Sequence, residues 1–198
     1  MNPDRAAVTA NFRRRLDDHR AVFERLEALI EPTVALSEAA ISVLRAGGKL
    51  LLCGNGGSAA DAQHISTELM VRFETTRPGL PAIALTTDTS AMTAASNDLG
   101  YDQIFARQVE ALGRPGDMLI GLTTSGTSPS VVEALVVARA MELKTACFTG
   151  RDGGAVAARD LADHCLVVPA DRTFLIQEAH VFLYHLLCAA IDTAFTPE

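Results

Sequence analysis

The stretch Lys49-Leu50-Leu51-Leu52-Cys53-Gly54-Asn55-Gly56-Gly57-Ser58 decides the fold. Its first half, Lys49–Cys53, is short and almost wholly apolar, as a strand covered on both faces must be. Its second half is a glycine-rich turn that opens into a helical stretch, Ser58–Phe73. Working outward, runs of strand length recur at Ala82–Thr86, Met118–Thr123, Thr145–Thr149 and Cys165–Val168. Helical stretches separate them at Tyr101–Leu112, Pro129–Met141 and Val156–Leu161, and a last helix is expected from about Phe174 to Ala194. Strands alternating with helices require right-handed crossovers. The prediction is an α/β fold: a doubly wound, Rossmann-like, five-stranded parallel sheet flanked by helices.

Two helices are expected before the first strand. Phe12, Leu16, Phe23, Leu26 and Ile30 recur at steps of three, four and seven, one stripe of an amphipathic helix spanning Val8–Ile30. Pro32 breaks it and suits the first turn of a second helix, Thr33–Arg45, which Gly47-Gly48 ends. A single α/β layer has limited need of both, so their stripes are expected to pack against another subunit; the alternative is that they cover a sheet face of their own chain. There is no internal repeat, low-complexity tract or linker. The chain is therefore expected to be a single domain, 1–198, with 1–47 as the oligomer-packing helices and 48–198 as the α/β core.

Composition narrows the function. Of 198 residues 48% are hydrophobic and 21% charged, ample for a core. Lys plus Arg number 17 against 24 Asp plus Glu, a net charge of −7, which argues against a nucleic-acid partner while leaving room for one locally held anion. No signal peptide is visible behind Met1-Asn2-Pro3-Asp4-Arg5, and the apolar run Val181–Ala190, interrupted by His185, is too short to span a membrane. Cys53, Cys147, Cys165 and Cys188 are scattered without a metal-binding spacing and read as reduced thiols of a cytoplasmic protein.

In an open parallel sheet, ligands bind beyond the carboxyl ends of the strands. After the first strand comes Gly54-Asn55-Gly56-Gly57-Ser58, where Ser58 can cap the helix or offer its hydroxyl. After the third comes Thr123-Thr124-Ser125-Gly126-Thr127-Ser128, five hydroxyls around one glycine at a helix start. That is more than turn-capping needs, and it points to a phosphate cradle. Gly54-x-Gly56-x-x-Ala59 with Asp88 also fits a dinucleotide fingerprint, but the hydroxyl loop has no role in that scheme. No Walker A motif is present. His64 and Glu68, four apart, share a helix face and form either a metal-binding pair or a surface pair. Gln177, Glu178, His180 and His185 form a second polar set on the last helix. His185 stands out there because an idle imidazole in an apolar run would cost free energy.

The run Gly54-Asn55-Gly56-Gly57-Ser58-Ala59-Ala60-Asp61-Ala62-Gln63-His64 resembles the signature of the phosphoheptose isomerases, members of the sugar isomerase (SIS) domain group. Ser66-Thr67-Glu68-Leu69, Arg72-Phe73, Asn97-Asp98, the Thr123–Ser128 loop and Gln177-Glu178-Ala179-His180 match in order, so the resemblance covers about the whole chain. It implies conversion of sedoheptulose 7-phosphate to D-glycero-D-manno-heptose 7-phosphate by a homotetramer with interface active sites. It also implies one zinc ion per subunit on His64, Glu68, Gln177 and His185, and proton transfer by Glu68 and His185. Asn55, Gly56, Gly57, Ser58, Arg72, Asn97, Asp98, Thr123, Thr124, Ser125, Ser128, Asp171 and Gln177 would meet the substrate.

The chemistry fits those residue types, since ketose–aldose exchange through an enediol needs a base near carbon and an acid near oxygen. A metal there could polarise the carbonyl or simply fix the two helices. Two departures stand out. Thr123 and Thr127 replace the usual Ser and Asn of the hydroxyl loop, and Leu175 replaces the usual Arg two residues before Gln177; Arg172 is expected to compensate unless the sugar differs. The alternative reading is a non-catalytic SIS protein that binds a replication-initiator partner. Such proteins lack the carboxylate and the second histidine, and both Glu68 and His185 are present here.

Overall fold

The computed structural model describes residues 4–196. Helix α1 (Arg5–Arg25) passes through a 3-10 turn at Leu26–Leu29 into α2 (Ile30–Arg45), with Pro32 in the first turn, where its missing N–H is no loss. The core then alternates: β1 (Leu50–Gly54), α3 (Gly57–Met70), β2 (Ala82–Ala84), α4 (Thr89–Leu99), α5 (Ala106–Leu112), β3 (Met118–Leu122), α6 (Pro129–Ala140), β4 (Lys144–Gly150), α7 (Gly154–Ala158), β5 (His164–Val168) and α8 (Thr173–Phe195). The five strands form one parallel sheet in the order β2-β1-β3-β4-β5. This is the doubly wound sheet the alternation predicts.

Period-two alternation sends the strand side chains into two cores. Leu50, Leu52, Ile120, Phe148 and Leu166 face α2, α3 and α8. Leu51, Cys53, Leu119 and Cys147 face α4 to α7. Both faces of the three central strands, β1, β3 and β4, are thus dry, which accounts for their nearly unbroken apolar runs. The leading helices divide their work. Helix α2 buries Leu36, Ala40, Val43 and Leu44 against its own chain, whereas α1 leaves Phe12 65% and Leu16 49% exposed.

Several boundaries differ from expectation. Helix α4 has no counterpart in the sequence reading, because its mostly small and polar residues bury only Ala95. The expected helix at Tyr101–Leu112 is a 3-10 turn at Tyr101–Gln103 followed by α5. Helix α8, by contrast, agrees with its expected span to one residue at each end; at 23 residues it is long and apolar enough to cross a membrane, and half of its most apolar window is buried inside the chain. All four cysteines are free; burial pushes the Cys53 and Cys188 thiols up to about 12.

Candidate functional site

Strand order reverses between β1 and β3, whose crossovers lead in opposite directions, so the crevice opens beyond Gly54 and Leu122. Both loops singled out in the sequence meet there. Gly56, at φ +57, caps α3, and Ser58 lies buried inside the first helical turn. Asn55 ties the two loops together. Its Nδ2 donates to Ser130 Oγ at 2.9 Å, and its Oδ1 accepts from the Tyr101 hydroxyl at 2.8 Å.

In the second loop, Thr123 Oγ1 and Ser128 Oγ are 3.0 Å apart, and Ser125 Oγ accepts from Thr127 Oγ1 at 2.9 Å. Gly126 is indispensable to this turn. At φ +66 it passes so close to Gly153 that a Cβ would stand 2.0 Å from the Gly153 carbonyl oxygen. Ser125 and Thr127 line a cleft of about 480 Å³ together with Arg151, Asp152 and Asp171. Arg151 escaped the sequence reading. The signal available was its place directly after β4, where a strand's carboxyl end faces the crevice.

Two turns farther along α3 lies a separate polar cluster. His64 Nε2 and Glu68 Oε1 are 2.9 Å apart, and the His64 ring centroid is 5.2 Å from that of His185, edge to face. The His64 and Glu68 side chains are 42% and 18% exposed, so reactants can reach them. Burial pulls the His185 imidazole below its ordinary value; His64 beside it acts the same way and Glu68 opposes. His185 is therefore neutral near pH 7. His180 is a different kind of residue: fully buried, bonded through Nε2 to the Thr149 carbonyl at 3.1 Å, and lowered to about 4 chiefly by burial.

The remaining sequence candidates make contacts of their own, and Arg72 adjoins Phe73, whose ring centroid is 5.4 Å from that of His185. Gln177 packs over the glycine turn, its Nε2 only 2.4 Å from where a Gly57 Cβ would stand. It precedes His185 by eight residues, about 12 Å along the helix axis. Arg72 and Asp98 are exposed, and Asn97 bonds only its neighbour, Nδ2 to Asp98 Oδ1 at 2.7 Å. Thr124 is half-buried in the hydroxyl loop. Leu175 is buried in the core, and Arg172 does not stand in for an arginine there: it pairs with Asp18 of α1 at 2.5 Å and lies over the Phe174 ring. Asp88 spends its carboxylate on capping α4, accepting from the Ala91 amide at 2.9 Å, which leaves the dinucleotide reading without its ribose ligand.

Two imidazoles and a carboxylate are donors of the kind zinc takes, and His64, Glu68 and His185 supply them side by side. His64 Nδ1 also has the outer hydrogen-bond partner usual for a metal-bound histidine, the Tyr184 hydroxyl at 2.8 Å. The residues fit the ion in kind. The arrangement is not a formed centre: His64 Nε2 is engaged with Glu68, and no three His, Cys, Asp or Glu side chains among the described residues converge as ligands.

Residues 16–150 match the model of the SIS domain. A phosphoheptose isomerase of Roseiflexus sp. (strain RS-1) is 55% identical over 165 residues, 83% of each chain. The chain belongs to the phosphoheptose isomerase family of SIS domains. The solved phosphoheptose isomerase GmhA of Neisseria gonorrhoeae superposes with a TM-score of 0.88 at 43% identity, over 94% of this chain and 99% of its own. That of Francisella tularensis gives 0.90 at 39% identity, over 94% and 98%. Among phosphoheptose isomerases, then, the fold is shared along nearly the whole chain, the leading helices included.

Proposed function

We propose that this chain is a ketose–aldose isomerase that converts sedoheptulose 7-phosphate to D-glycero-D-manno-heptose 7-phosphate. The observation that carries the reading is the meeting of Glu68 with His185 around His64, two helical turns from the hydroxyl-lined cleft. Gly57 and His64 are seven residues apart, about 10 Å of helix. That polarity suits a substrate whose anion is at one end and whose reacting carbons are at the other.

In this reading the phosphate enters the cleft of Ser125, Thr127 and Arg151, with Ser58, Thr123, Thr124 and Ser128 supplying the surrounding hydroxyls. Glu68 takes the proton from C1 of the ketose. The neutral His185 gives its ring proton to the C2 carbonyl oxygen and receives the O1 proton in exchange, as a neutral imidazole acting as electrophile can. Protonated Glu68 then returns a proton to C2, and the aldose is complete. No atom is gained or lost. His64, Glu68 and His185 would hold a zinc ion, which would supply polarisation of the carbonyl.

The assembly we infer is a homotetramer with sites at subunit interfaces. The bare Phe12 and Leu16 on α1 support it. A cytoplasmic setting follows from a phosphorylated sugar substrate and four free thiols.

Incubation with sedoheptulose 7-phosphate in deuterated buffer tests the activity. NMR should show the aldose accumulating with deuterium at C2. Absence of aldose from folded protein, with and without added zinc, would overturn the proposal.

A further inference from the structure

His180 takes no part in the proton transfer proposed above, yet it lies in the core, 0% exposed, its ring edge to face with Phe148 at 6.0 Å between centroids. Its Nε2 is 3.1 Å from the Thr149 carbonyl oxygen. A carbonyl only accepts, so the ring proton is on Nε2. Burial pulls the imidazole down to about 4, so the ring is neutral at pH 7 and its Nδ1 is a bare lone pair. That lone pair has no protein partner among the described residues. A leucine would fill the space without stranding a polar atom. The single bond that His180 makes shows where its use lies.

Thr149 is the next-to-last residue of β4, and Arg151 follows the strand directly. Arg151 stands at φ +59, in the left-handed region. A non-glycine residue is strained there and stays only where its surroundings hold it. Three contacts do so. The Arg151 amide donates to the Ala170 carbonyl at 3.0 Å, the Gly153 amide donates to the Gly150 carbonyl at 3.0 Å, and His180 fixes the carbonyl of Thr149. Only Gly150 separates that last contact from Arg151. It lies so close under α8 that a Cβ would stand 2.5 Å from Ile176 Cδ1. A residue without a side chain offers the least resistance to rotation, so the clamp on the Thr149 carbonyl governs the turn.

We propose that His180 is a positioning residue for the anion cleft: its Nε2–H holds the Thr149 carbonyl to α8 and so keeps the strained turn that presents Arg151 beside Ser125 and Thr127. The inference rests on the reading of that cleft, about 480 Å³ in volume, as the seat of the phosphate. Without the bond, Gly150 acts as a hinge, Arg151 relaxes to negative φ and its guanidinium leaves the hydroxyls. His180 bonds to Thr149 alone among the described residues, so its loss should weaken the grip on the anion and leave proton transfer untouched.

The test measures inorganic phosphate binding by calorimetry, and turnover of sedoheptulose 7-phosphate, in wild type, His180→Leu and His180→Gln. Leucine fills the site without a donor, whereas the glutamine amide can donate from nearly the position of Nε2. His180→Leu should raise the phosphate Kd and the KM about tenfold, the scale of one charged hydrogen bond, with kcat unchanged. His180→Gln should restore most of both. Should the leucine variant fail to fold, His180→Asn, whose amide is too short to reach Thr149, takes its place. In an Arg151→Ala background the loss of His180 should weaken phosphate no further, because the cation it positions is gone. Unchanged phosphate affinity, a loss in kcat rather than KM, a glutamine variant no better than the leucine or asparagine one, or losses that multiply in the double variant would each overturn the proposal. So would a wild type that binds no phosphate. A wild type that binds phosphate but turns over no sedoheptulose 7-phosphate would refute the substrate reading alone, and the phosphate titrations would still decide the role of His180.

Discussion

Asp192→Ala strands a buried charge, and its cost can be worked out. The Arg77 and Asp192 side chains are 0% and 4% exposed and meet at 2.7 Å from Nε to Oδ1. Asp192 also accepts from the Glu74 amide at 2.9 Å and the Thr75 amide at 2.8 Å, so it pins the segment after α3 onto α8. Arg77 in turn donates to the carbonyls of Glu68 and Leu69, both at 2.8 Å, and closes the end of the helix that carries Glu68. Loss of one partner from a buried pair costs about 3–5 kcal/mol. The freed loop amides can turn to water, which favours the lower end, about 3 kcal/mol. At about 2–4 °C per kcal/mol for a chain of this size, Tm should fall by about 6–12 °C.

Acid titration adds a second signature. Burial alone would raise the Asp192 carboxyl, but donation from the Thr75 and Glu74 amides, Arg77 and the Thr75 hydroxyl prevails and holds it below the usual carboxylate value. A native-state value below the unfolded one gives stability that is present above about pH 4 and lost as pH falls through the native value. Melts followed by circular dichroism across pH 3–7 should show wild type losing this increment on the acid side and Asp192→Ala lacking it throughout. Arg77→Met/Asp192→Leu should recover much of the loss, since an apolar pair strands nothing. A Tm drop below about 2 °C for Asp192→Ala, or a double variant no better than the single, would refute the reasoning.

Three further outcomes are expected. Glu68→Gln should lower turnover about 100–10,000-fold with Tm retained, and wild-type turnover would remove Glu68 as the base. Arg151→Ala should raise KM about tenfold or more, the scale of one charged hydrogen bond, with little change in kcat; an unaltered KM in steady-state assays would take Arg151 out of the anion cleft. Gly126→Ala forces a left-handed residue against the Gly153 carbonyl, so it should lower both Tm and substrate affinity. Normal melting and kinetics would mean that this loop yields more easily than its backbone contacts allow.

The sheet was legible because its strands are buried on both faces, which leaves runs such as Leu50–Cys53 with nothing polar in them. Helix α4 was not legible because Thr89–Leu99 is built of small and polar residues and buries only Ala95, with Met92 partly covered. Glycines and hydroxyls announced both loops at the crevice, since turn geometry and helix starts restrict residue type. Arg151 was missed because a lone cation in Gly150-Arg151-Asp152-Gly153 has the composition of an ordinary turn. The Tyr184–His64–Glu68 line joins residues 120 positions apart and becomes visible only when α3 and α8 lie together. Sequence pattern also drew attention to His185 as the costly imidazole in an apolar run, yet the fully shielded one is His180, held by a backbone carbonyl.

Helices α3 and α8 both start beyond the carboxyl ends of parallel strands and travel in the same direction, so facing positions keep a constant offset: Gly57 with Gln177, and His64 with Tyr184, each differ by 120. The pair behaves as a ruler with its zero at the glycine turn. Deleting one residue from α8 between Gln177 and Tyr184 would rotate everything downstream by about 100° and draw it back by about 1.5 Å, while the anion end stayed in place. Insertions and deletions in that interval should therefore be far less tolerated than substitutions, because they uncouple the proposed anion cleft from the proposed proton-transfer pair.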